Sequence, residues 1–393
     1  MNNSSERKLC LGVAGLGRAF GVMLPAFVGD ARIKLVAAAD EREEARQQFT
    51  AEFSAASYKT VEELCVDPAV EAVYVATPHQ HHAQHAILAA RHGKHLLVEK
   101  PIALTLDECN GMLHEVHKAR VHLVVGHSHS FDAPVQRLHT LVRSDAFGAV
   151  RMINAINYTD YLYRLRRPEE LDTAKGGGAV FNQAAHQVDI VRLVGGGRVS
   201  RVRATTGAWD LRRPTEGAYA ALLTFEDGAF ASLTYSGYGH FDSDEFEGWI
   251  GEMGQQKTPY PASPRPRFSN MNEEVLSKNA RNYGGSEYRS NAVQPAAHQH
   301  FGTLLVSCER ADLRPLPNGV MIYQDGVARL DALPPQRAPR SEVIDELYQA
   351  VVHGKTPLHD GAWAKATLEV VLAILHSATE GCDVRLIHQV GVP

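Results

Sequence analysis

The 393-residue chain is poor in cysteine and tryptophan, with five of one and three of the other. Cys10, Cys65, Cys109, Cys308 and Cys382 are far apart, odd in number and form no CxxC. That argues against a disulfide framework or a zinc ribbon and for a reducing compartment. No apolar run approaches the roughly 20 residues of a membrane span. The stretch from Met1 to Arg7 is polar and lacks the apolar core of a signal peptide. A cytoplasmic protein without membrane contact is expected. A basic excess is missing too. The net charge of -5 leaves no electrostatic footprint for nucleic acid. What is present is ample apolar content, 44%, beside 22% charged residues. The length suggests two globular domains.

The first third alternates strands and helices, which predicts right-handed crossovers and a parallel sheet. Lys8 to Ala14 reads as a buried strand. It runs into Gly15-Leu16-Gly17-Arg18-Ala19-Phe20-Gly21 and then an apolar helical pattern. Strand, glycine turn and helix form the context of a dinucleotide fingerprint. Gly15 permits the turn, and Gly17 lets backbone approach a pyrophosphate at the helix start. The third glycine is displaced, with Phe at 20 and Gly at 21. A second strand, Ile33 to Ala39, ends at Asp40, 23 positions after Gly17. An acid there suits the adenosine ribose and repels a 2′-phosphate, so NAD is favoured over NADP. Arg42 is close enough to soften that preference.

Ala72 to Ala76 is a further strand ending at Thr77-Pro78. His95 to Val98 ends at Glu99-Lys100-Pro101. Pro101 biases Lys100 away from helical angles and fixes it at the strand's C-terminal rim, where ligands sit in open α/β sheets.

Beyond residue 127 the pattern changes. Ala149 to Tyr158, Ser200 to Trp209, Ala218 to Phe225 and Ala229 to Tyr235 are strand-like, and Asp227-Gly228 makes a hairpin turn. Gly176-Gly177-Gly178 precedes a helix expected over Ala179 to Gly195. On it Asn182, His186 and Asp189 share a face. A histidine on such a face is ordinarily a satisfied core group, with Asn182 and Asp189 as its orienting partners. Gln255 to Gln299 is polar, with one short helix near Glu273 to Lys278. Ser341 is expected to start a capped helix.

Gly15-Leu16-Gly17, Ala76-Thr77-Pro78 with His82, and Gly93-Lys94-His95…Glu99-Lys100-Pro101 resemble the Gfo/Idh/MocA oxidoreductases. The resemblance implies a Rossmann domain with a doubly wound parallel sheet, residues 1–127. It implies an α+β C-terminal domain with a large open, mostly antiparallel sheet, residues 128–393. It places Gly15, Gly17, Arg18, Ala19, Phe20 and Asp40 on the cofactor, with Thr77, Pro78, His82, Glu99 and Lys100 at its nicotinamide half. Gly176-Gly177-Gly178…Asn182…His186…Asp189 resembles the second family motif, with His186 at the catalytic histidine. Asn182 stands where many members carry Asp, which removes one carboxylate from the usual set. The family also implies a homodimer or homotetramer through the C-terminal sheet.

Asp160 to Leu171, His127 to Asp132 and His298 to Gly302 resemble a subgroup of phthalate 4,5-cis-dihydrodiol dehydrogenases. Such a substrate wants fixed cations, and Arg164, Arg166 and Arg167 offer a local set. The expected chemistry is oxidation of a ring carbinol, with Lys100 near the hydroxyl and His186 as base. Sugar or inositol oxidation, NAD-dependent glycosidic cleavage and nucleotide sensing are the alternatives. Two histidine groups, His79-His81-His82-His85 and His127-His129, are not expected to bind a metal. The first falls where the family contacts cofactor, and no Cys or acid completes a ligand set.

Overall fold

The computed structural model describes residues 7–259, 270–289 and 295–392. The chain divides into two compact units. One holds residues up to His127 and two later stretches, 275–289 and Arg340–Ala364; the other holds the remainder. The expected cut after 127 is there, but two consecutive blocks do not describe the chain. The physical reason is packing. Tyr283 sets its ring against Phe20, centroids 5.0 Å apart, and its hydroxyl on Glu52 at 2.7 Å. Arg32 likewise holds Asp345, and Tyr348 holds the Arg7 carbonyl.

The first unit contains strands β1 (Leu9–Ala14), β2 (Ile33–Ala39), β3 (Ala56–Tyr58), β4 (Ala72–Val75), β5 (His95–Val98) and β6 (Leu123–Val125). They pair in parallel in the order β3-β2-β1-β4-β5-β6. This is the predicted doubly wound sheet. Its strands are near-continuous apolar runs because helices cover both faces. Two of those helices start on capping boxes, Thr60 with Glu63 and Thr105 with Glu108.

The second unit contains β7 (Val150–Tyr158), β8 (Val199–Gly207), β9 (Ala218–Phe225), β10 (Phe230–Ser236), β11 (Thr303–Cys308), β12 (Asp312–Leu316), β13 (Gly319–Gln324), β14 (Val327–Ala332) and β15 (Val384–Arg385). They form one sheet, β14-β13-β12-β11-β7-β10-β9-β8-β15. Only β7 and β10 run parallel. Burial alternates along β9 and β10, so one face is core and the other is more open.

Two local expectations need correction. The helix at Ser341 has Arg340 as its N-cap, with no side-chain cap bond. The helix after the glycine triplet begins with a π turn, Val180–Ala184, and becomes α-helical at Ala185–Val194. The short helix expected near 273–278 spans Met271–Arg281, while part of the irregular stretch 255–300 lies outside the described residues. Among the described residues, no helix is long and apolar enough to cross a membrane.

Candidate active site

In the first unit the turn after β1 sits where the strand order reverses, the point at which doubly wound sheets bind ligands. Gly15 has φ +98, and a Cβ there would stand 2.7 Å from the Ala76 carbonyl oxygen. Only glycine fits that approach. Gly17 is the N-cap of the helix Arg18–Gly29, and a Cβ on it would meet nothing within 4 Å. No side chain caps this helix, and its first turn carries no acid. Its leading N–H groups and positive dipole end therefore suit an anion such as a pyrophosphate. Arg18 is exposed and Ala19 half-buried. Phe20 departs from expectation. It is fully buried between Tyr283 and Phe49, so any part it has in cofactor binding falls to its backbone.

The Asp40 carboxylate follows β2 and accepts the N–H groups of Leu16 at 2.7 Å and Arg42 at 2.8 Å. A carboxylate has about four acceptor sites, and the Arg42 guanidinium, at 3.2 and 3.4 Å, faces the other two, so a ribose hydroxyl would share one of them. Arg42, expected to soften the preference for NAD, is tied into the turn itself. It pairs with Asp40 at 3.2 Å and donates to the carbonyls of Leu16 at 2.7 Å and Tyr283 at 3.0 Å. It braces the turn.

Past β4, the Thr77 hydroxyl meets His85 Nδ1 at 2.9 Å. Burial, with His81 and His82 nearby, pushes the His85 pKa down to about 4, so that ring is neutral. Pro78 is half-buried beside it. His82 is fully buried, with Nδ1 2.8 Å from the Pro101 carbonyl and Nε2 2.8 Å from the Thr77 carbonyl. Burial lowers its pKa against those two carbonyls, which favour the protonated ring. Its ring bridges the loops after β4 and β5. Glu99 also faces inward, accepting the Tyr74 hydroxyl at 2.6 Å. Burial, then Glu99, lifts the Tyr74 pKa well above its usual value. Lys100 follows, half-buried, between Glu99 and Pro101.

In the second unit the glycine triplet turns through Gly176 and Gly178, both at φ +79. The Asn182 amide donates to the carbonyls of Gly176 at 3.1 Å and Gly178 at 2.9 Å. An ionised Asp has no proton to give there, so Asn182 serves this turn as an amide. His186 is buried on the α-helical part that follows. Its ring centroid lies 4.8 Å from that of His129 and 4.8 Å from that of Phe301. Asp189, expected to orient His186, accepts the hydroxyls of Ser128, Ser130 and Thr367, the last at 2.8 Å.

The three arginines do not act as one set. Arg166 is buried, with its guanidinium carbon 3.8 Å from the Tyr161 ring centroid, its N–H on Glu274 and an Nη on the Tyr161 carbonyl. Arg167 pairs with Glu169 at 3.1 Å and Glu170 at 3.5 Å. Arg164 lies 2.9 Å from Asp160 and 3.5 Å from Glu252. Burial opposes its charge, but Glu252 and Asp160 more than restore it.

Sequence reasoning missed the group around His186. His129 Nδ1 lies 2.6 Å from Asp132 and its Nε2 3.4 Å from Glu252. The i,i+3 spacing of His129 and Asp132 was a visible signal, and Asp132 is an acid where none was expected. Glu252, more than a hundred positions away, left no local signal. Phe301 adds an aromatic wall, with the Tyr235 ring parallel to it at 6.4 Å.

Residues 9–127 match the model of the oxidoreductase family with an NAD-binding Rossmann fold, and residues 135–250 match the Gfo/Idh/MocA C-terminal domain. The chain belongs to the Gfo/Idh/MocA oxidoreductases. It is 46% identical over 371 residues to a 1-carboxy-3-chloro-3,4-dihydroxycyclohexa-1,5-diene dehydrogenase of Comamonas testosteroni, covering 93% of this chain and 94% of that one. A Bordetella bronchiseptica RB50 protein, solved under the description of a dehydrogenase, superposes with a TM-score of 0.88. It shares 41% identity, covering 96% of this chain and 100% of its own. GenD2 from gentamicin A biosynthesis, solved with NAD, shares the fold at a TM-score of 0.71 and 20% identity, over 98% of this chain and 99% of that one. The family cofactor, NAD, suits the open glycine turn described above.

Proposed function

We propose that this oxidoreductase oxidises a ring carbinol of a carboxylated cyclic cis-diol, yielding the catechol. The observation that carries the reading is its likeness, over almost the whole of both chains, to the Comamonas dehydrogenase of a carboxylated dihydroxycyclohexadiene. Gly15, Gly17 and Asp40 hold the adenosine and pyrophosphate, and NAD supplies the hydride acceptor when bound. The Lys100 ammonium favours the alkoxide that develops as the carbinol hydroxyl loses its proton, from which the carbon gives up its hydride to become a ketone. His186 takes the hydroxyl proton, since an imidazole titrates near working pH. The ketone so formed tautomerises to the aromatic catechol, which drives the reaction forward. Asn182 holds the glycine turn that precedes His186 and passes no proton.

Arg164 is assigned as the cation for a ring carboxylate because Glu252 links it to His129, whose ring lies against His186; the substrate carboxylate would share it with Asp160 and Glu252. One such cation fits the monocarboxylate named by the Comamonas relative better than the dicarboxylate expected from sequence. The same reading includes a cytoplasmic homodimer or homotetramer joined through the open sheet face. There Ile156, Leu222 and Phe230 are exposed on one side of β7, β9 and β10. Light scattering of the purified protein against a Phe230→Glu variant tests that part.

The chemistry is tested by following NADH formation with NAD and a panel of carboxylated cis-dihydrodiols, unsubstituted cis-dihydrodiols, inositols and aldoses. Turnover is expected to be fastest with a carboxylated dihydrodiol. NADH formed from inositols or aldoses and not from any dihydrodiol would overturn the assignment.

A further inference from the structure

We propose that His129 is a positioning residue whose fixed positive charge keeps His186 neutral and able to accept a proton. The inference rests on the reading of His186 as the base. Its geometry is independent of that reading. His129 has no exposed surface, and both of its ring nitrogens face carboxylates: Nδ1 meets Asp132 at 2.6 Å and Nε2 meets Glu252 at 3.4 Å. A ring flanked in this way satisfies both partners only when both nitrogens carry protons. It is then a cation, and its ring crosses that of His186 at 66° with centroids 4.8 Å apart. Phe301 lies 5.0 Å from the first ring and 4.8 Å from the second, an apolar wall against both. A second proton on His186 would put two cations in contact away from water, which lowers the affinity of His186 for that proton.

The surrounding charges do not cancel this effect. Asp132 is committed to His129. Glu252 is shared between His129 and Arg164, which Asp160 also holds. On the helix of His186, Asp189 accepts three hydroxyls, and Arg192 donates to Thr367 at 2.7 Å. Burial works against the charge on His129, but Asp132 and Glu252 outweigh it and push its pKa up to about 9. The ring therefore stays charged across the range in which an ordinary histidine loses its proton.

The test reads the two imidazoles directly. Protein labelled with nitrogen-15 in histidine is titrated by NMR, with no substrate present. His129 is expected to be doubly protonated at pH 7, and a neutral His129 there would overturn the proposal in the native protein. In folded His129→Gln, the His186 pKa is expected to rise by on the order of one to two units, because a charge in contact has gone. An unmoved His186 would also overturn it, whereas a purely structural His129 would lower stability and leave that pKa in place. Asp132→Asn keeps the side-chain shape and is expected to lower the His129 pKa; no change in it would count equally against the proposal. The acid limb of kcat/KM, measured with NAD and the fastest diol of the panel, should track the His186 titration in each variant. If the NMR shift appears and that limb does not move, the coupling stands and His186 is not the base.

Discussion

The glycine turn after β1 and the surroundings of His186 are built on opposite plans. The turn is made of backbone: Gly15 against Ala76, Gly17 opening a helix, Asp40 receiving Leu16 N–H. The second is made of side chains drawn from Ser128 to Thr367: hydroxyls hold Asp189, carboxylates hold His129, and His186 lies against the rings of His129 and Phe301. Backbone sites tolerate side-chain change but not a misplaced Cβ. Side-chain sites tolerate backbone variation and fail when one charge is removed. Four substitutions or titrations break that contrast if it is wrong.

The largest effect is expected for Lys100→Met. The loss of kcat should be about 10²- to 10³-fold or more, on the scale of removing a group that stabilises developing charge. NADH binding, followed by fluorescence, should be nearly unchanged, and a near-normal kcat would remove Lys100 from the chemistry. Gly15→Ala comes next. It forces a Cβ to 2.7 Å from the Ala76 carbonyl at φ +98, and is expected to cost about 1–3 kcal/mol of stability together with NAD affinity. Calorimetry with and without NAD separates the two losses.

Asn182→Asp is the sharpest probe of the second plan. It replaces a donor to two glycine carbonyls with an acceptor, and about 1–3 kcal/mol of stability should go with it. An Asp at this position should therefore slow the enzyme; a faster or more stable variant would break the clamp reading. The smallest effect is on stability against pH. The folded-state pKa of His129 lies above the ordinary histidine value, so its contribution is complete below about pH 6.5. It is lost as pH rises towards about 9. The melting temperature should fall modestly over that window, and the fall should be flatter in His129→Gln.

The same contrast explains what was legible in the sequence. The Rossmann order, Gly15, Gly17 and Asp40 were readable because each signal spans a few residues of one strand-turn-helix unit. The antiparallel sheet was readable where hairpin turns such as Asp227-Gly228 mark it. Strands β3, β11, β12 and β15 carry short or mixed patterns and were not. The inward direction of His82, Glu99 and Phe20 was not legible because it depends on partners elsewhere: Pro101, Tyr74 and Tyr283. The Arg166 guanidinium is turned onto the ring and carbonyl of Tyr161, a contact that the basic run itself does not signal. The π turn at Val180–Ala184 left no trace in an apolar pattern that fits a helix of either pitch.

Tyr283 has a consequence for how this protein is cut. It covers Phe20, bonds Glu52 and lends its carbonyl to Arg42, all within the nucleotide-binding unit. A fragment ending at residue 127 would bare an aromatic ring to water and strip Arg42 of an anchor beside Asp40. The nucleotide-binding unit is therefore discontinuous along the chain, and an excised N-terminal fragment should be sticky and bind NAD poorly.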